Sequence, residues 1–189
     1  MDKNITIGVV VGSARKESYS RKTAAFVASR LPGAFETRTL HIEKLPLYNQ
    51  DYDDEGTTPP EWTAFREEVR SLDGFLFVTP EYNRSFPPLL KNALDIASRP
   101  YGKNVWAGKP GALIGVSPGK IGAFGAVQHL RQVLAFLNVI LLQQPEAYLG
   151  EAARFLDERG TVTNPETAQF LETFAAAFAA WVEKIRDKR

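Results

Sequence analysis

The sequence contains no cysteine and only two histidines among its 189 residues. The first absence removes disulfides, thiol catalysis and cysteine-ligated zinc or iron–sulfur sites together, and it agrees with a reducing compartment. The second leaves His41 and His129, neither beside an obvious nucleophile or base, so neither a triad nor a metal cluster can be read from the chain. Charge of one sign is lacking as well, since 23 Lys and Arg against 22 Asp and Glu leave a net charge of +1. There is thus no basic field for nucleic acid, nor the strong acidity common in small electron carriers that dock by charge. No apolar run approaches membrane-spanning length, and Met1-Asp2-Lys3-Asn4 leads into a short strand without a leader pattern, so a cytoplasmic location without a membrane partner is expected.

What remains is the composition of an ordinary globular protein, 44% hydrophobic and 24% charged, with no repeat or low-complexity segment and no composition shift to mark a linker. Residues 1–189 are expected to form one domain. Apolar runs at Ile5–Val11, Phe75–Val78, Ala112–Ser117 and Val139–Leu142 read as buried strands, and Phe35–Leu40, interrupted by Glu36 and Arg38, as an edge strand. Between them Ala24, Val27, Ala28 and Leu31, then Trp62, Phe65, Val69 and Leu72, then Leu90, Ala93, Leu94 and Ala97, then Val127, Leu130, Leu134 and Leu137 recur at helical spacing. A last helix starts near Pro165, buries Phe170, Phe174, Phe178 and Trp181, and places Lys184, Arg186, Lys188 and Arg189 near its negative end. Strands alternating with helices and right-handed crossovers predict an α/β fold: a five-stranded parallel sheet in the flavodoxin-like order 2-1-3-4-5, with helices on both faces. The long connection Leu45–Gly56 carries an acidic run without the ligand spacing of a calcium loop and is expected to be a solvated turn.

In that order the loops after the first, third and fourth strands leave the same end of the sheet and line one crevice. The first, Gly12–Arg21, is a strand-to-helix turn with hydroxyls at Ser13, Ser18 and Ser20 and guanidinium groups at Arg15 and Arg21. Backbone N–H groups and the positive end of a helix dipole add to these, so the loop suits a phosphate. It has neither the glycines of a dinucleotide fingerprint nor a Walker loop's Gly-Lys-Ser/Thr, which favours a phosphomonoester over a pyrophosphate. The second loop, after Thr79, offers Pro80, the aromatic face of Tyr82 and the amide of Asn83, and the third offers backbone made approachable by Gly119 and Gly122. A phosphate at one end and a flat, hydrogen-bonding ring at the other describe FMN.

The residues Gly12-Ser13-x-Arg15 with Ser18, Pro80-Glu81-Tyr82-Asn83 followed by Ser85, Pro87 and Leu90-Lys91-Asn92-Ala93-x-Asp95, then Gly108-Lys109-Pro110, Ser117-x-Gly119 and Leu130-Arg131-x-x-Leu134 resemble the NADPH-dependent FMN reductase family, in the branch of chromate and quinone reductases. The resemblance implies that Ser13, Arg15, Ser18, Tyr19 and Ser20 hold the FMN phosphate, that Pro80, Glu81, Tyr82 and Asn83 lie along the flavin ring, and that Ser117 and Gly119, with Lys120 and Gly122, approach its other edge. The chain departs from many relatives at Ser20, Arg84, Ile96 and Gln128, where those have asparagine, an aromatic residue, tryptophan and tyrosine.

A bound flavin passes hydride from nicotinamide to acceptor, so no protein residue is expected to be essential as an acid or base, and no metal is expected. The expected activity is ping-pong transfer from NADPH or NADH through FMN to a small-molecule acceptor: a quinone, chromate, an azo compound or free flavin. Arg84 and Lys120 are rim cations placed to pair with a phosphate of NADPH. The family implies a homodimer or homotetramer, for which the Leu45–Gly56 loop, Tyr101 and Trp106 offer a surface. The rival expectation is a flavodoxin-like electron carrier, or a binding protein without nicotinamide turnover.

Overall fold

The computed structural model describes residues 4–187. Its strands β1 (Ile5–Val11), β2 (Phe35–Thr39), β3 (Gly74–Thr79) and β4 (Pro110–Val116) pair in parallel in the order β2-β1-β3-β4, as the apolar runs predict. β3 and β4 are buried along their whole length, whereas β2 buries only Phe35, as an edge strand should. Side chains alternate between two cores. Ile7, Val9, Leu76, Val78 and Ile114 pack beneath α1 (Tyr19–Ala28) and α6 (Pro165–Arg186), while Val10, Phe75, Phe77 and Leu113 face the other side of the sheet. That side is covered by α3 (Pro60–Ser71), α4 (Pro88–Ala97) and α5 (Phe124–Phe136), a single turn α2 (Asp51–Asp54) preceding them in the long connection. No helix among the described residues is long and apolar enough to cross a membrane.

The fifth position of the sheet differs from the expected single strand. It is divided into β5 (Ile140–Leu141), which pairs with Pro110 and Gly111, and β6 (Ala147–Leu149), which pairs with Ile114 to Val116, making a sheet of six strands. Between them Gln143 and Gln144 are exposed and Pro145 has no N–H to give to a ladder, so the chain leaves β4 and returns to it. The last helix begins at Pro165 as expected, capped by Asn164, whose side chain accepts from the Thr167 N–H. Its buried stripe is Leu171, Phe174, Ala175, Phe178 and Val182, with Phe170 and Trp181 only partly covered. Lys188 and Arg189 lie outside the described residues, as do Met1 to Lys3.

Two further expectations are corrected by burial. Trp106 offers no surface to a partner, because its ring is fully buried against Phe75, Phe77 and Phe65 and its indole N–H donates to the Leu94 carbonyl at 3.1 Å. Tyr101, by contrast, is 92% exposed, and so are Phe136 at 85% and Leu47 at 78%. The acidic run is not simply solvated either. Arg66 makes two hydrogen bonds to the Asp53 carboxylate, at 2.8 and 2.6 Å, with side-chain exposures of 11% and 4% for Arg66 and Asp53. The same guanidinium donates to the Ile96 carbonyl and lies over the Trp62 ring, so the long connection is tied to α3 and α4 through one cation.

The Arg66 hydrogen bonds hold the Asp53 carboxyl below its usual range. A depressed carboxyl contributes stability above its unfolded pKa and loses it as pH falls through the folded value. Asp53→Ala, which leaves a buried guanidinium unpaired, should cost about 3 kcal/mol, or roughly 10 °C in Tm. Thermal denaturation followed by circular dichroism at pH 7 and pH 3, the latter below the ordinary carboxyl value, should show the gap between wild type and variant narrowing at the lower pH. An equal gap at both would place the stabilisation outside this pair.

Candidate functional site

Three loops meet at the carboxyl ends of the strands around a crevice of about 170 Å³, lined by Ser13, Arg15, Ser18, Tyr19 and Ser20 from the first loop, Pro80, Glu81 and Tyr82 from the second, and Val116, Ser117 and Pro118 from the third. The first two come close because Gly12 lies between them: its N–H donates to the Val78 carbonyl, and a Cβ there would stand 2.9 Å from the Thr79 hydroxyl. Ser18 caps α1, its hydroxyl accepting from the Arg21 N–H at 3.2 Å, and the Ser13 hydroxyl accepts from the Arg15 N–H at 3.4 Å. Ser13, Ser18 and Ser20 are all buried. The first-turn N–H groups of Tyr19 and Ser20 precede the first intrahelical acceptors, so they point out of the helix end. Glu17 is drawn off by Lys22 at 2.9 Å, which holds its carboxyl below the usual range and keeps the loop positive through Arg15, Lys16 and Arg21.

The second loop is a two-residue hairpin. Tyr82 and Ser85 exchange both backbone hydrogen bonds, at 2.8 and 3.0 Å, and the central Asn83 and Arg84 take φ of 52° and 68°. Such positive-φ turns match strand twist and suit asparagine, whereas arginine there costs about 1 kcal/mol. Glu81 anchors the hairpin. One carboxylate oxygen accepts from the Ala126 N–H in the first turn of α5 at 3.1 Å, and the other pairs with Arg84 at 3.0 Å. The one carboxylate lining the crevice is therefore turned to α5 and to Arg84, whose side chain stays 71% exposed.

The third loop folds back on the chain beyond β6. Ser117 N–H donates to Leu149, Glu151 N–H to Gly119 and Ala152 N–H to Ser117. A Cβ on Gly122 would stand 2.5 Å from the Tyr148 backbone, and its φ is +63°, so this glycine serves the packing of the loop on β6. Gly119 and Lys120 are exposed on the outside of the turn, and with Asn83, Arg84 and Gly122 they lie beyond the crevice lining. Val116 and Pro118 line it although neither was singled out as a site residue. Val116 is the last residue of a strand whose apolar character gives no sign that its end opens on a crevice. Of the histidines, His41 is exposed and pairs with Glu43 at 3.4 Å, whereas His129 on α5 sits 2.9 Å from the Ser85 hydroxyl.

The crevice joins buried hydroxyls and a helix N-terminus, which suit a phosphomonoester, with Pro80, Tyr82, Val116 and Pro118, which suit a flat ring, the two chemistries that FMN carries. Residues 5–154 match the family model described as NADPH-dependent FMN reductase. The chain is 50% identical over 184 residues to a quinone reductase of Pseudomonas putida, covering 97% of each chain. It is 46% identical to a 2-hydroxy-1,4-benzoquinone reductase of Burkholderia sp, covering 98% of each. Among solved structures, a flavoenzyme NAD(P)H:(acceptor) oxidoreductase from Paracoccus denitrificans superposes with a TM-score of 0.89 at 41% identity, over 95% of this chain and 98% of that one.

The two loop glycines separate packing from openness. Gly119→Ala, with nothing within 4 Å of the new Cβ, should keep its Tm within about 2 °C of wild type, while Gly122→Ala should lose roughly 3 kcal/mol from the clash and the positive φ together. Thermal melts of the two variants check this. Equal losses would contradict the described turn.

Proposed function

The chain belongs to the NADPH-dependent FMN reductase family, oxidoreductases that use FMN and NAD(P)H, and we propose that it carries reducing equivalents from NAD(P)H to quinones in ping-pong turnover. The chemistry that FMN would supply when bound is hydride transfer between nicotinamide and acceptor. The work of this chain is then to hold and orient. Ser13, Ser18, Ser20 and the N–H groups opening α1 hold the phosphate, with Arg15 closing over it from the exposed side. Pro80, Tyr82, Val116 and Pro118 flank the ring. Tyr82, 44% exposed, leaves one side of the crevice open to successive substrates.

The single observation that carries this function is the meeting of three separate loops in one crevice whose donors are buried hydroxyls and whose one carboxylate is already engaged. Quinone is the acceptor most in keeping with the Pseudomonas putida and Burkholderia relatives, both named for quinone reduction. Chromate, azo compounds and free flavin are acceptors that an open crevice of this kind also admits. An electron carrier would share the phosphate loop, and reaction with nicotinamide divides the two.

Anaerobic titration of the FMN-loaded protein with NADPH, and separately with NADH, followed in the visible flavin band, should bleach it within seconds. Adding a quinone should restore the colour. Bound flavin that neither coenzyme bleaches would mark a carrier and overturn the reductase function.

A further inference from the structure

Resting on the FMN site inferred above, we propose that Lys22 is a positioning residue for the cofactor phosphate. It holds the Glu17 carboxylate off the end of the crevice where that phosphate binds, and so sets how tightly the chain takes FMN.

Lys22 lies in the first turn of α1, just beyond the Ser18 cap, and its side chain is only 17% exposed. Gly160 covers the stem, since a Cβ there would stand 3.1 Å from Lys22 Cγ. An ammonium group carries three N–H donors and no acceptor. Here Nζ faces three acceptors: a Glu17 carboxylate oxygen at 2.9 Å, the Glu158 carbonyl at 2.9 Å and, at longer range, the Asp157 carbonyl at 3.5 Å. With its donors taken, Lys22 acts on a ligand only through the carboxylate it restrains.

That carboxylate is badly placed for an anion site. Glu17 immediately precedes Ser18, which caps α1 and lines the crevice, and Tyr19 and Ser20 follow in the lining. A negative side chain beside a helix N-terminus is drawn to the same first-turn N–H groups that a phosphate needs, and it repels the phosphate as well. The other cations of the loop lie elsewhere: Lys16 is exposed, and Arg21 lines the groove between α1 and β2 together with Glu43. The ammonium is held in place from the far end of the chain. The Asp157 and Glu158 carbonyls belong to a turn closed by the Leu156–Val162 bridge, and the Asp157 carboxylate is itself taken up by the Thr161 N–H at 2.7 Å. The turn ahead of α6 thus fixes where Lys22 ends, and Lys22 fixes where Glu17 points.

Equilibrium titration of the apoprotein with FMN and with riboflavin, which lacks the phosphate, tests this role. Lys22→Met should weaken FMN about tenfold and leave riboflavin within about twofold of wild type, and high salt should narrow the FMN gap. Adding Glu17→Gln to Lys22→Met should restore FMN affinity, because the charge that Lys22 restrains is then gone. Lys22→Gln, which keeps an N–H donor for the turn but no charge, guards against a Lys22→Met chain that folds poorly and should show the same phosphate-selective loss. Wild-type FMN affinity in both Lys22 variants would overturn the proposal. So would a loss shared equally by FMN and riboflavin that Glu17→Gln does not restore, since that marks loosened packing alone. A wild-type apoprotein that holds no FMN would overturn the cofactor site and this role together. One that holds FMN which NAD(P)H cannot bleach would overturn the reductase function and leave this role standing.

Discussion

The parallel pairing of β1 with β3 is the constraint on which the rest of the site depends. β1 continues into α1 on one face of the sheet, and β3 continues by way of the hairpin into α4 on the other, so the chain diverges at their shared carboxyl end and leaves a crevice between. The pairing persists as far as Gly12, whose N–H still bonds to Val78 and whose missing side chain lets the two loops lie against each other. A larger residue would drive them apart.

Around this junction the chain spends its polar groups on rigidity before it offers any to a ligand. Ser18 caps α1, Glu81 caps α5, and Lys109 donates to the last carbonyls of α3 at Val69 and Arg70. Glu81 couples two tasks, since the carboxylate that steadies α5 also tethers Arg84 in a conformation that arginine disfavours. The residue at position 84 therefore bears on hairpin shape. Behind the hairpin, His129 joins the same structure to the groove between α4 and α5, which makes α5 the element that touches both.

Much of this was legible in the sequence. Runs such as Phe75-Leu76-Phe77-Val78 are apolar on both faces because helices cover both, and the strand order followed from right-handed crossovers. The place of the first loop on the crevice was legible because a strand-to-helix turn follows the first strand of a parallel sheet. The return strand Ala147–Leu149 was not, being three residues long and separated from β5 by polar residues and a proline. Nor was the role of Asp53, whose partner Arg66 lies thirteen positions away on another helix and leaves no local pattern. Asn83-Arg84 concealed a tight hairpin because the second position carries no glycine, and Trp106 was misplaced because a loop position says little about where an indole points. Long-range pairings of single residues escaped; periodic patterns did not.

The convergence of the three loops on one cofactor is tested most directly by equilibrium titration of the apoprotein with FMN and with riboflavin, which differ only in the phosphate. If Ser13, Ser18, Ser20 and the start of α1 hold that group, FMN should bind about 100-fold more tightly or better, the worth of one or two charge-assisted hydrogen bonds. Equal affinities would contradict the assignment of the first loop, and with it the placement of the flavin across all three.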